Sequence, residues 1–320
     1  MAEPFDQLDN YIDSLLSHRE PAIPNHDAEL SSLAGIAADL RDLPSPAFKQ
    51  RLREELTRRT TMSPAVSSPV REGFRTVTPY LVVGQGTEFL EFLKQAFGAE
   101  ETYRGATPGG FHAELRLGDS MLMVGGSTGP ANRPSSLATL HFFVENPDEV
   151  HRRCVQLGAK SMYGPAEGYG ERYAVVEDPA GNWWVLARRL SGSYRPEGRP
   201  DLNVFLNPPD APAVIEFMKN GLGAEVLERH DAPEGTGVHY ARLQVGDTVV
   251  EMGMPRPGWQ PTTMTLLYVP DSDALYHRAL AAGAKSLSAP ADLPYGRSSG
   301  VVDLAGYQWY FCTPPATPRS

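Results

Sequence analysis

YGERYAVVEDPAGNWW, residues 169–184, passes from a turn into a strand, through a second turn, and into a strand that continues as AGNWWVLA, 180–187. The outline returns late in the chain, with YGRSS from Tyr295 and AGYQWYFC over 305–312. Asp, Pro, Gly and Asn in DPAGN are the residues of a tight strand-to-strand turn, so the reuse of that turn as DLAGY is read as structural. Working outward, FGAEE at 97 answers to LGAEV at 222, GDSMLM at 118 to GDTVVE at 246, and LGAKS at 157 to AGAKS at 282. The offset stays between 125 and 128 residues. The chain from about Val77 to Pro315 is therefore an internal repeat, each copy ~120 residues long, a normal domain length.

Each copy reads as strand, helix and three strands, twice over. In the first, TVTPYLVV is a strand and TEFLEFLKQAFGA an amphipathic helix, and HAELRLG and SMLMVGG are strands joined by a Gly-Asp turn. ATLHFFVEN, DEVHRRCVQLGA, RYAVVED and WWVLARR then give a strand, a helix and two strands, and the second copy follows suit from LNVFLN and PAVIEFMKNGLGA. Alternation in HAELRLG turns Ala113, Leu115 and Leu117 to one face and His112, Glu114 and Arg116 to the other. The fold class is α+β, four βαβββ modules in two tandem domains.

The doubled module, the FGAEE helix exit, HAELRLGDSMLM and YGERYAVVEDPAGNWW together resemble the vicinal oxygen chelate superfamily, which holds glyoxalase I, extradiol dioxygenases and bleomycin-resistance proteins. The resemblance covers residues ~73–315. It implies that two modules per domain curl into an open, cup-shaped sheet with the helices outside and a pocket inside. The Trp-rich strand is then the last wall of a cup, made twice. The domains expected are a helical region, 1–62, a flexible linker, 63–72, a first cup domain, 73–190, a linker, 191–198, and a second cup domain, 199–315.

In metal-dependent relatives, four inward His or Glu side chains from the first and fourth strands of the half-domains bind one divalent metal, a Lewis acid toward vicinal oxygens. Carried over, those positions are Thr78, Met123, Thr139 and Val185 in the first domain and Asn203, Glu251, Met264 and Tyr310 in the second. Only Glu251 is a ligand of the usual type, so no metal site and no cofactor are expected. A one-residue slip would turn these side chains out of the cup. A two-residue shift brings in His141 and Asp201 without completing a set.

On this reading the first cup presents Thr78, Tyr80, Met121, Met123, Thr139, His141, Phe143 and Trp183, a lining suited to a flat or apolar ligand. His141 lacks a visible carboxylate partner on a neighbouring strand. The second cup is more polar, with Asp201, Asn203, Glu251, Tyr268, Gln308, Tyr310 and Cys312, and Trp259 in a nearby loop. Glu251 reads as a catalytic candidate, a buried acid with a raised pKa, or equally as an acceptor that fixes a ligand. The resemblance places Arg172 and Arg297 beside the pocket mouths.

Composition narrows the function classes. With 320 residues, 41% hydrophobic, and a net charge of −10, the chain is expected in the cytoplasm and repels phosphate backbones, so nucleic acid is excluded as a partner. No apolar run approaches the ~18 residues of a membrane span. Cys154 and Cys312 are the only cysteines and form no metal pair. Residues 4–60 carry helical spacing, and 57–70 is rich in Ser, Thr and Pro. ELSSLAGIAADLRDLPSPAFKQRLREELTRR, 29–59, resembles the juxtamembrane helical segment of some bacterial anti-sigma proteins, without the membrane helix that usually follows. Three functions result. One is a metal-independent binder that sequesters or senses a small molecule. Another is a lyase, isomerase or dioxygenase centred on Glu251, with a divalent metal if that holds. The last is a regulator whose N-terminal helices bind a protein partner. Tandem domains can bury their own edges, so monomer and homodimer both stay open.

Overall fold

The computed structural model describes residues 70–127, 136–233, 237–255 and 262–315. The expectations for residues 1–62, for most of the first linker and for Trp259 lie outside these residues.

Module one consists of β1 (Val77–Val83), α1 (Gly86–Phe97), β2 (Glu100–Thr107), β3 (Gly110–Leu117) and β4 (Ser120–Ser127). Module two has β5 (Thr139–Phe143), α2 (Pro147–Gln156), β6 (Lys160–Gly168), β7 (Glu171–Glu177) and β8 (Trp183–Arg189). Module three has β9 (Leu202–Leu206), α3 (Ala211–Phe217) ending in a π turn (Met218–Leu222), β10 (Glu225–Asp231), β11 (Val238–Val245) and β12 (Thr248–Gly253). Module four has β13 (Met264–Tyr268), α4 (Ser272–Ala281), β14 (Lys285–Leu293), β15 (Gly296–Val302) and β16 (Gln308–Thr313). The four-module α+β reading stands, and no helix among the described residues is long and apolar enough to cross a membrane.

How the modules share sheets differs from the expectation. One eight-stranded sheet runs β14-β15-β16-β13-β1-β4-β3-β2 and the other β10-β11-β12-β9-β5-β8-β7-β6. The first cup thus joins modules one and four, and the second joins modules two and three. Their seams are antiparallel, with Tyr80 opposite Met264 and His141 opposite Asn203. The helix-side cores follow the repeats instead. One packs α1 and α2 on Leu81, Leu115, Leu140 and Trp184, and the other packs α3 and α4 on Val204, Leu243, Phe311 and Trp309. Val77 and Leu202, each at the start of its repeat, sit in the other repeat's core.

The repeated turns explain this arrangement. In the Gly-Asp turn before β4, Asp119 Oδ1 accepts from Asp201 N at 2.9 Å and Ser120 Oγ from Leu202 N at 3.0 Å. Before β12, Asp247 Oδ1 accepts from Thr76 N at 2.7 Å and Thr248 Oγ1 from Val77 N at 3.1 Å. Each turn therefore latches the lead-in to the first strand of the other repeat. Asp201 belongs to this latch, where its carboxylate accepts from Asp119 N, and not to the cup lining.

The DPAGN and DLAGY turns are structural, as read. Asp178 accepts from Ala180 N, Asn182 N and Trp184 Nε1, and Asp303 from Ala305 N, Tyr307 N and Trp309 Nε1. The repeated tryptophan is thus pinned on the helix side, and Trp183 is the one that faces the cup. Arg172 and Arg297 make paired contacts to Asp148 and Asp273 in the first turns of α2 and α4, at 2.7–2.9 Å. Both copies keep this bridge, because its acid comes from the helix and not from the loop.

Gly118 holds a φ of +60°, and a Cβ there would lie 2.0 Å from Asp201 Oδ2. Gly118→Ala is expected to cost about 2 kcal/mol from the left-handed backbone alone, read as a lower urea midpoint. A midpoint equal to the parent's would show that the latch does not constrain this backbone.

Candidate functional site

The second cup has a buried polar centre. Glu251 on β12 is 1% exposed. Its Oε2 lies 2.7 Å from His141 Nδ1 on β5, and its Oε1 accepts from the Tyr240 hydroxyl on β11 at 2.6 Å. Arg199, from the lead-in to β9, places Nη2 2.9 Å from Oε1 and its guanidinium carbon 5.0 Å from the centre of the Phe143 ring. The His141 ring lies 4.4 Å from that same ring. These contacts exist because β12, β9 and β5 are consecutive strands in the sheet.

Burial would raise the Glu251 pKa, but His141 and then Arg199 outweigh it and hold the carboxyl well below the usual range. Glu251 is therefore an ionised anchor, and the expectation of a raised pKa is overturned by His141 and by Arg199 just before β9. His141 does have a carboxylate partner, Glu251, brought into the same cup by the pairing of β5 with β9 and of β9 with β12. An ionised acceptor on Nδ1 orients the imidazole so that Nε2 faces Glu171 Oε2 on β7, 3.6 Å away. Burial pushes the Glu171 carboxyl up, as does the Glu251 charge, against the pull of His141 and Arg199.

Unpartnered buried atoms gather in this cup. His141 Nε2, Asn203 Oδ1, Arg242 Nε and both Nε and Nη2 of Arg199 lack a hydrogen-bond partner, Nη2 meeting Glu251 as an ion pair only, and the one other such residue among the described ones is Arg75. Asn203 stands opposite His141 across the seam, and Arg242 opposite Glu251. Buried polar groups are ordinarily satisfied, so the cluster marks where this cup holds hydrogen-bonding capacity that the protein itself does not use.

The first cup is lined differently. Met121, Met123, Leu266, Tyr268 and Cys312 form an apolar floor, with Tyr80 and Tyr310 packed beside it. Phe74, from the lead-in to β1, inserts into this cluster and meets Tyr268 edge to face at 5.6 Å. Glu114 on β3 accepts both ends of the Arg71 guanidinium, at 2.6 and 3.0 Å.

Of the residues singled out from the sequence, Thr78, Tyr80, Met123, Tyr268, Gln308 and Tyr310 share the first cup's sheet. Thr139, His141, Phe143, Trp183, Asn203 and Glu251 share the second's. The proposed linings had each mixed the two. Thr139 is turned to Asn207, whose Oδ1 accepts its hydroxyl at 3.0 Å. Arg199, Tyr240, Glu171, Arg71 and Glu114 were not singled out as site residues. Arg199 and Arg71 lie in lead-in segments without periodicity, and the only available signal was a cation close before each repeat's first strand.

The family's metal does not fit these donors. The four carried-over positions of the second cup are Thr139, Val185, Asn203 and Glu251, and the one carboxylate is already committed to a guanidinium, an imidazole and a phenol. Those of the first cup, Thr78, Met123, Met264 and Tyr310, include no carboxylate or imidazole. No group of three His, Cys, Asp or Glu side chains among the described residues converges as a metal site.

Comparison with known proteins gives a consistent picture. The family model for the glyoxalase/bleomycin resistance protein/dioxygenase superfamily matches residues 74–186 and 202–311. An uncharacterised protein of Mycobacterium tuberculosis is 31% identical over 124 residues, 35% of this chain and 73% of its own length. The anthracycline biosynthesis protein DnrV of Streptomyces peucetius is 29% identical over 196 residues, 56% of this chain and 67% of its own length. The crystal structure of a mutant glyoxalase I from Zea mays superposes with a TM-score of 0.59 at 18% identity, over 74% of this chain and 94% of that one, a likeness of fold.

Arg199→Met would leave Glu251 buried without its cation and is expected to cost about 3–5 kcal/mol at pH 7. Because the folded-state pKa of Glu251 is depressed, its contribution is present above the ordinary carboxylate range and lost as pH falls below about 4.5. The gap between parent and variant should therefore be widest above pH 5 and narrow in acid. Comparing the two cancels Asp178, whose pKa burial pushes up to about 6 and whose contribution has the opposite sign, falling as pH rises from about 4 to 6. Urea midpoints across pH measure both, and a gap that widens in acid would refute the assignment.

Proposed function

Because the chain belongs to the glyoxalase/bleomycin resistance protein/dioxygenase superfamily, we propose that its second cup binds a small oxygenated organic molecule without a metal ion. The observation that carries this reading is the cluster of unpartnered buried atoms at His141 Nε2, Asn203 Oδ1 and Arg199 Nε. Asn203 Oδ1 accepts a ligand hydroxyl, Arg199 Nε donates to a ligand carbonyl or phenolate, and His141 Nε2 serves either sense. Trp183, on the cup-facing side of β8, supplies aromatic surface for a flat body. The commitment of Glu251 to Arg199 supports metal independence, since the guanidinium supplies the positive charge that the carboxylate would otherwise draw from a metal cation. The name of the Streptomyces peucetius relative, an anthracycline biosynthesis protein, supports a polycyclic, hydroxylated ligand. The protein then sequesters or senses that ligand.

A second reading is favoured by one contact. His141, held at Nδ1 by an ionised carboxylate and set beside the raised Glu171 carboxyl, is arranged for proton transfer. In that reading an isomerase or lyase uses His141 and Glu171 as the groups that exchange protons, and Glu251 orients the imidazole.

A dihydroxyanthraquinone serves as the probe in calorimetric titration. Saturable binding is expected, weakened about tenfold, ~1.4 kcal/mol, by Asn203→Leu or by His141→Phe. Native mass spectrometry after incubation with zinc, nickel and iron(II) should show the bare chain mass, and a stoichiometric metal adduct would overturn the metal-free reading. Chemical change of the bound probe, lost in His141→Phe, would move the second reading ahead of the first.

A further inference from the structure

The first cup carries an occupant of its own. The segment Arg71–Phe74 precedes β1, and two of its side chains enter the cup as a ligand would. Phe74 covers the floor of Met121, Met123, Leu266, Tyr268 and Cys312. Arg71 caps it, its guanidinium 4.5 Å from the centre of the Phe74 ring. Nη1 donates to Glu114 Oε1 at 2.6 Å and to the Tyr268 hydroxyl at 3.3 Å, and Nη2 to Glu114 Oε2 at 3.0 Å.

Glu114 is the unusual member. It is 5% exposed and stands across from Met123, beside a floor of thioether, aromatic and aliphatic side chains, and its further contact is His112 Nε2 at 3.4 Å. His112 is in turn held by the Tyr80 hydroxyl, 3.1 Å from Nδ1. A buried carboxylate among aromatic rings is costly unless a cation meets it. The matching cation is a planar one, able to give two parallel hydrogen bonds and to lie on an aromatic face.

The two cups differ in how that cation is delivered. Arg199 is 7% exposed and lies on a segment tied to strands at both ends. The Arg71 side chain is 44% exposed. Among the described residues, the backbone tie within its segment is the turn bond from Phe74 N to Arg71 O at 2.9 Å. Arg71 can therefore leave Glu114 by swinging into water without unpairing any strand.

We propose that the first cup is a binding site for small amphiphilic organic cations of the amidine or guanidine class, and that Arg71 is the built-in competitor for that site. The ligand's planar cation takes the two Glu114 oxygens, and its apolar body lies on the face of the Phe74 ring that Arg71 now covers, above the methionine floor. This site is separate from the polar centre of the second cup and draws on none of its residues.

Benzamidine is the probe, and the methyl resonances of Met121 and Met123 are the readout, with the full chain labelled at methionine methyls. In Arg71→Ala, benzamidine should shift both methyls saturably, with an affinity at least about tenfold above that of the unaltered chain. Adding Glu114→Gln to that variant should abolish the response, and neutral benzamide should give none. Should Arg71→Ala fail to fold, Arg71→Gln, which keeps a polar side chain on this half-exposed position, is titrated in the same way. The proposal is overturned by a folded Arg71 variant without saturable shifts, or by binding that survives Glu114→Gln. Equal response to benzamide, or equal affinity in the unaltered chain, overturns it as well.

Discussion

Two antiparallel seams, β1 against β13 and β5 against β9, hold this structure in its form. Each joins the first strand of one module to the first strand of a module from the other repeat. Everything on the inner faces follows from that choice, including which carboxylate meets which imidazole. The Gly-Asp turns enforce it locally, because their side chains satisfy the backbone N–H groups just where each repeat enters its first strand. A buried N–H left unpaired there would cost as much as a lost hydrogen bond, so the turn and the crossover are retained together.

Both inner faces solve the same electrostatic problem in different ways. Each buries one carboxylate, Glu114 on β3 or Glu251 on β12, and each recruits an arginine from the lead-in segment to neutralise it. In the second cup the pair is sealed and extended through His141, Tyr240 and Glu171, which leaves polar atoms over. In the first the pair stays near the solvent and an aromatic side chain fills the space below it. One fold therefore offers a buried polar centre and an apolar one with a solvent-facing edge.

Much of the architecture was legible because it is written in local periodicity. Ala113, Leu115 and Leu117 are buried on the helix side, as the alternation in HAELRLG required. The outer strands β2, β6, β10 and β14 carry no such signal, since they are largely exposed along their length. Each also pairs with its neighbour through a bulge or register shift, a device that blunts an edge against further pairing. The partnering of modules was not legible, because a repeat offset fixes which segments are alike and says nothing about which lie side by side. That gap divided Glu251 from His141 on paper. Arg199 and Arg71 escaped for a related reason, lying in connecting segments where hydrophobic spacing carries no information about direction.

The module exchange also changes what duplication means for this chain. A lone copy of the repeat would present two open half-sheets, and two identical copies closing on each other would produce two identical cups by symmetry. Tethering the copies in one polypeptide makes that encounter intramolecular and frees each wall to diverge on its own. Glu251 where the other copy has Met123, and Tyr268 where the other has Phe143, are changes no symmetric pair could confine to one cup. Fusion is thus what allows a single molecule to keep two unlike interiors.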